Sequence, residues 1–228
     1  GLSLVANAEI YNYLELSEIF KKEKFKTKSD CECILHLYNA YGLNFTKFLR
    51  GMYALAIHDL EKNLLVLARD PFGIKPLYYL ESSEYFSFSS EPRALIDSGL
   101  AIPKINSKKR DELLQLQFTT GRETIFSGIK RVLPGEILVI SRGKIIKRKR
   151  TASLPRKKTT NSNEGSILGK SGSVLEESVN IHQRSDVPFG MFFSGGIDSS
   201  VLLFLMSKIT QKSVRAYTIG FSETSVHD

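Results

Sequence analysis

The chain has 228 residues, 42% of them hydrophobic and 25% charged, with a net charge of +8. That size fits one large or two small globular domains, and no apolar stretch reaches the roughly 20 residues needed to cross a bilayer. Its first residues do not read as a secretory signal, and Cys31 and Cys33, one residue apart, cannot bridge distant parts of a fold. A reducing, cytoplasmic compartment is therefore expected. The basicity is local: Ser141 to Lys158 holds nine lysines and arginines and no acid, which accounts for the whole surplus. Such a stretch can attract a polyanion, but no aromatic residue interleaves it, so a solvated strand end and linker explain it better than nucleic-acid binding.

In chain order, Leu2 to Ile10 reads as a strand and Tyr13 to Phe20 as a helix. Ser29 and Glu32, in "SDCE", have capping-box spacing ahead of a second helix that Gly42 ends. "MYALAIHDLEKNLLVLARD" and "PLYYLESSEYFSFSSE" each predict a pair of strands, turning at "EKN" and "ESSE". "RDPFGIKP" between them reads as a rigid connection in which Arg69 and Asp70 pair. A helix follows around Pro92 to Ser98, and "LPGEILVISRGKIIK" is a hairpin with "SRG" as its turn. From about Thr151 to Gly172 the composition turns polar, as in a linker. Then come a helix over Val174–Arg184, a buried strand over Gly190–Phe193, a helix over Ser199–Ile209 and a strand in "VRAYTIGF". Strand, helix, strand at that spacing predicts a parallel βαβ unit, unlike the hairpins before it. The chain opens Gly1-Leu2-Ser3, its first methionine is Met52, and it stops after "GFSETSVHD", so truncation at both ends is expected.

The junction "FFSGGIDSS" carries the sharpest chemistry. A strand that runs into Ser194-Gly195-Gly196 and then a helix leaves free N–H groups at a helix N-terminus, where an anion is favoured. The glycines let a large anion reach the backbone, and Ser194, Ser199 and Ser200 add hydroxyl donors. Asp198 would repel phosphate unless a divalent cation lay between, so the pattern points to pyrophosphate with Mg²⁺ on Asp198. The duller reading is a tight βα turn. "GSILGKS" at Gly165–Ser171 is one residue short of a P-loop and follows no strand, so Gly169-Lys170-Ser171 is a decoy.

"SGGIDSS" after an apolar strand, with "YTIGF" about twenty residues on, resembles the pyrophosphate loop of ATP pyrophosphatases, and most of all the synthetase domain of glutamine-dependent asparagine synthetases. "NAEIYNY", "SDCE", "LRGMYALAIHD", "ARDPFGIKPLYY" and "FSSEPRAL" resemble segments of that family's amidotransferase domain, in the family's order. The resemblance implies an incomplete α/β/β/α N-terminal-nucleophile amidotransferase domain over 1–150, a linker over 151–172, and the start of a nucleotide α-hydrolase-like parallel βαβ domain over 173–228.

It also implies residue roles. Asn7 and the amide of Ala8 would form an oxyanion hole for glutamine hydrolysis. Asp30 would hold the ammonium of glutamine, with Glu9 in the same pocket. Ser194, Gly195, Gly196, Asp198 and Ser199 would grip the pyrophosphate of ATP and Mg²⁺, and backbone at Phe193 and Ile219 would border adenine and ribose. The implied activity is ATP-dependent amidation of aspartate through a β-aspartyl adenylate, with ammonia from glutamine. A homodimer of the full-length protein is compatible with it. Two departures stand out: alanine replaces glycine at position 8, and the family's N-terminal nucleophilic cysteine is missing. Cys31 cannot replace it, because it has no free amine, so these residues are expected to be inactive alone. The alternatives are a relative acting on another carboxylate, such as a β-lactam synthetase or an envelope-modifying enzyme, and a basic nucleic-acid-binding module.

Overall fold

The computed structural model describes residues 1–154, 163–185 and 187–220. Lys157, Lys158 and Arg156 of the basic stretch lie outside the described residues. The chain divides into two compact units, Gly1–Arg156 and Lys157–Asp228.

In the first unit, strand β1 (Leu2–Ile10) is followed by helices α1 (Tyr13–Ile19) and α2 (Glu32–Tyr41) and a 3-10 turn over Gly42–Lys47. Strands β2 (Gly51–Asp59), β3 (Leu64–Arg69), β4 (Tyr78–Glu81) and β5 (Phe86–Ser89) come next, then helices α3 (Pro92–Asp97) and α4 (Ser107–Leu116). Strands β6 (Ile129–Arg131), β7 (Glu136–Ser141) and β8 (Lys144–Arg150) complete it. A five-stranded antiparallel sheet has the order β1-β2-β3-β7-β8, and a three-stranded one the order β5-β4-β6.

Alternation along β2 builds the layers. Tyr53, Leu55 and Ile57 face Leu16 of α1 and Ile34, Leu37 and Tyr38 of α2, while Ala54 and Ala56 join a second core with Leu77, Tyr79, Leu138 and Ile140. Small alanines let the second sheet approach closely. Beyond it, Leu95 of α3 packs with Ile129 and Leu80. Helix, sheet, sheet, helix is the layering that the family resemblance implied. The "SRG" turn has Arg142 and Gly143 both at positive φ, the geometry that suits right-twisted strands.

Several expectations are corrected here. Glu32 does not close a capping box on Ser29; its carboxylate accepts from Lys26 N–H, Thr27 N–H and Thr27 Oγ1 in the preceding loop. Arg69 and Asp70 do not pair: the guanidinium donates to the carbonyls of Lys75, Val132 and Gly73, while the carboxylate accepts backbone N–H groups. The exposed α4 was missed because it buries no residue and so has no apolar periodicity to read. Much of the basic stretch is tied into the fold: Lys144 donates to Ser82 O, Arg148 to Tyr79 Oη, Lys149 to Leu43 O and Arg150 to Pro134 O.

The second unit holds helix α5 (Glu164–His182), strand β9 (Met191–Phe192), helix α6 (Ile197–Thr210) and strand β10 (Ala216–Tyr217). The strands pair in parallel, Met191 with Ala216 and Phe192 with Tyr217. Helix α5 begins inside the stretch expected to be linker, because Asn163 accepts from Gly165 N–H as an N-cap and outweighs three helix-weakening glycines. Gly169-Lys170-Ser171 is thus helical, and its amides are not a phosphate cradle. The strand expected to be buried is not: Phe192 is 79% exposed. Two short parallel strands with two helices cannot cover both faces of the sheet. Among the described residues no helix is long and apolar enough to cross a membrane.

Candidate functional site

Strand β1 is an outer strand, in register with β2 as Asn7↔Ala54, Ala8↔Tyr53 and Glu9↔Met52. Tyr11 N–H donates to Arg50 O at 2.8 Å, so at this end of the strand odd-numbered amides turn toward β2 and even-numbered ones turn outward. Ile10 N–H, facing outward, meets Asp30 Oδ2 at 2.7 Å. By the same alternation the Ala8 N–H points out from the free edge on the Asp30 side. Ala8 is not among the residues with positive φ, so the alanine causes no backbone strain there.

The Asn7 and Glu9 side chains share one exposed face of β1. Neither has a hydrogen bond or ion pair among the described residues. The chain therefore brings Asn7, Ala8, Glu9 and Asp30 together at one end of β1. Among the described residues no ionised thiol accompanies them. Burial first, and then the charge of Asp30, pushes the Cys31 thiol up to about 11, and the same two causes push Cys33 to about 12. Both are neutral thiols at physiological pH, and only a thiolate attacks readily.

In the second unit the chain leaves β9 at the carboxyl end of the parallel strands, the end where ligands bind in open α/β sheets. Phe193 N–H donates to Tyr217 O at 2.8 Å, and Thr218 Oγ1 donates to Phe193 O at 2.8 Å. The backbone of Phe193 is thus committed to the sheet, leaving its side chain for apolar contact. Gly195 has φ +79°, which favours glycine, and a Cβ built there would meet nothing within 4 Å. Gly196 is the N-cap of α6 and carries no side-chain cap, so the first amides of the helix face outward with no side-chain acceptor among the described residues. Ser199 Oγ lies 3.2 Å from Ser194 Oγ and donates to Gly196 O, closing the loop. Asp198 stands exposed in the first turn of α6 with no hydrogen bond or ion pair among the described residues.

Loop and helix start thus present backbone donors, hydroxyls and one carboxylate over open space, which can hold an anion with a bridging cation. Ile219, 79% exposed, follows Thr218 out of β10. Sequence reasoning missed Thr218, which tethers that segment to Phe193. The signal was a threonine at a strand end, whose hydroxyl can bond neighbouring backbone.

A glutamine amidotransferase domain matches residues 1–151, and an asparagine synthase domain matches residues 170–228. The glutamine-hydrolysing asparagine synthetase 1 of Bacillus subtilis is 35% identical over 222 residues, covering 96% of this chain and 35% of that protein. A putative glutamine-hydrolysing asparagine synthetase of Methanocaldococcus jannaschii is 35% identical over 226 residues, covering 96% of this chain and 43% of its own length. The chain thus spans well under half of the curated relatives it matches. Among solved structures, the glutamine phosphoribosylpyrophosphate amidotransferase of B. subtilis overlaps at TM-score 0.49 and 20% identity, covering 95% of this chain and 45% of that one. That overlap is too loose to add to the fold.

Proposed function

Since this chain belongs to the glutamine-dependent asparagine synthetase family, we propose that the full-length protein converts aspartate, glutamine and ATP to asparagine, glutamate, AMP and pyrophosphate. The first 150 or so residues would release ammonia from glutamine, and the second unit would begin the ATP site. The observation that carries the reading is the open loop 194–200 at the uncapped N-terminus of α6.

In the first unit, the Asn7 side-chain amide and the outward Ala8 N–H would stabilise the oxyanion that forms when the glutamine amide is attacked. The Asp30 carboxylate, already anchored on Ile10 N–H, would hold the α-ammonium of glutamine, with Glu9 adding negative charge to that pocket. The attacking cysteine would come from outside these residues, because Cys31 and Cys33 are held as thiols.

In the second unit, the amides that follow Gly196 and the hydroxyls of Ser194 and Ser199 would receive the β- and γ-phosphates of ATP. Gly195 would let them reach the backbone. Asp198 would hold Mg²⁺, which when bound neutralises charge on the departing pyrophosphate. What supports that ion is the exposed Asp198 carboxylate in the first turn of α6, beside the hydroxyls of Ser194 and Ser199. Mg²⁺ is commonly held by one or two carboxylates, with phosphate oxygens and water completing its shell. Phe193 and Ile219 would border adenine and ribose.

Product analysis of the full-length protein tests the assignment. With aspartate, glutamine and ATP it should form asparagine and pyrophosphate in equal amounts, and ¹⁸O from the aspartate side-chain carboxylate should appear in AMP. Formation of ADP and phosphate, or no dependence on aspartate, would overturn it.

A further inference from the structure

The Asp30 carboxylate sits at the apex of a short loop, and that loop is closed by a ring of hydrogen bonds that Glu32 begins and ends. Glu32 Oε1 accepts Lys26 N–H at 2.6 Å. Its Oε2 accepts both Thr27 N–H at 2.6 Å and Thr27 Oγ1 at 2.5 Å. Thr27 Oγ1 in turn accepts Ser29 N–H at 3.2 Å, and Ser29 Oγ accepts Cys31 N–H at 3.2 Å. Glu32 N–H donates to Ser29 O at 3.2 Å and so returns the ring to its start.

Cys33 adds a clamp from the helix side, its thiol lying 2.9 Å from Asp30 O. Residues on both sides of Asp30 are therefore fixed, and its carboxylate accepts Ile10 N–H at the end of β1 through Oδ2 and lies 3.5 Å from Ser29 Oγ through Oδ1. His36, stacked with Phe20 and tilted against Phe25, lies 3.9 Å from Glu32 Oε1 and backs the carboxylate from the next helical turn.

We propose that Glu32 is a positioning residue for the recognition of the α-ammonium of glutamine: it touches no substrate, but it locks the 26–31 loop so that Asp30 is presented beside the Ala8 amide. The proposal rests on the reading that Asp30 holds that ammonium. Burial raises the Glu32 carboxyl, but hydrogen bonds from Thr27 and Lys26 more than offset it and hold its pKa below the ordinary value. It is therefore ionised at working pH, and an ionised acceptor makes the stronger hydrogen bonds.

The test compares affinities of the full-length protein for L-glutamine and for glutaramate, which is glutamine without its α-amine. The wild type should prefer glutamine. Glu32→Ala should cut that preference about tenfold, mainly through weaker glutamine binding. Glu32→Gln, which keeps one acceptor oxygen, should lie between the two, and Thr27→Val should also fall short of the full loss. If Glu32→Ala fails to fold, those two milder variants carry the comparison. Asp30→Asn should abolish the preference. A Glu32 variant that weakens both ligands equally, or leaves the preference intact while Asp30→Asn removes it, overturns the positioning role alone. No preference in the wild type, or one that survives Asp30→Asn, overturns the reading of Asp30 beneath it.

Discussion

Asp70→Ala is expected to destabilise the first unit by about 3–5 kcal/mol, enough to unfold many domains of this size. Asp70 is fully buried. Its Oδ1 accepts the N–H groups of Phe72 at 3.1 Å and Ile74 at 3.0 Å, and its Oδ2 accepts those of Lys75 at 3.0 Å and Tyr53 at 3.4 Å. Its own N–H donates to Tyr53 O, and its carbonyl accepts from Gly73 and Gly135.

Alanine would leave the four side-chain-bonded donors without their acceptor, and a water entering the space could not satisfy all four. The Arg69 guanidinium would stay bound to the carbonyls of Gly73, Lys75 and Val132. Asn at 70 should cost less, because one oxygen survives while its NH₂ opposes the remaining donors. Eight of the nine tyrosines lie before residue 86, so urea unfolding followed by tyrosine fluorescence reports on this unit. A midpoint within about 1 kcal/mol of wild type would mean that the loop is held by something other than Asp70.

The second large effect belongs to Asp198. Asp198→Asn is expected to lower pyrophosphate formation by about 10²–10³-fold, the scale seen when one electrostatic contact to a developing charge is removed. Stability should hardly change. The side chain is exposed and has no protein partner among the described residues, so its structural contribution is the roughly 0.3–1 kcal/mol of a carboxylate near a helix N-terminus. The pairing of a large catalytic loss with a small shift in melting temperature separates a ligand role from a folding role. A variant with near-normal turnover would remove Asp198 from the chemistry.

The layered first unit was readable because its signals are local. Period-two alternation, positive-φ turn residues and apolar helix faces each act within a few residues of sequence. The failures were residues whose partners could not be seen. Glu32 lies at capping-box spacing from Ser29, but the Lys26–Thr27 loop, offering three donors to its two oxygens, prevailed over the one Ser29 amide. Arg69 and Asp70 looked like a pair because they are adjacent, yet neighbours on a strand end point apart, and each met backbone groups instead. Phe192 looked buried because it is apolar. Burial needs covering elements, and the residues described in the second unit do not supply them.

The site residues were legible in type and spacing, but not in direction. That the Ala8 amide faces outward follows only from register, since Tyr11 N–H points to Arg50 and Ile10 N–H to Asp30. Likewise the sequence "SGG" does not say which glycine bends the chain. Gly195 does, at positive φ, while Gly196 takes an extended N-cap conformation.

Hydrogen–deuterium exchange at residues 195–199 of the full-length protein, with and without ATP and Mg²⁺, reads the phosphate grip directly. The amides of Ile197, Asp198 and Ser199 should exchange markedly more slowly once ATP is bound, and inorganic pyrophosphate should reproduce much of that protection. Protection elsewhere in the molecule, with these amides exchanging as fast as before, would contradict the assignment.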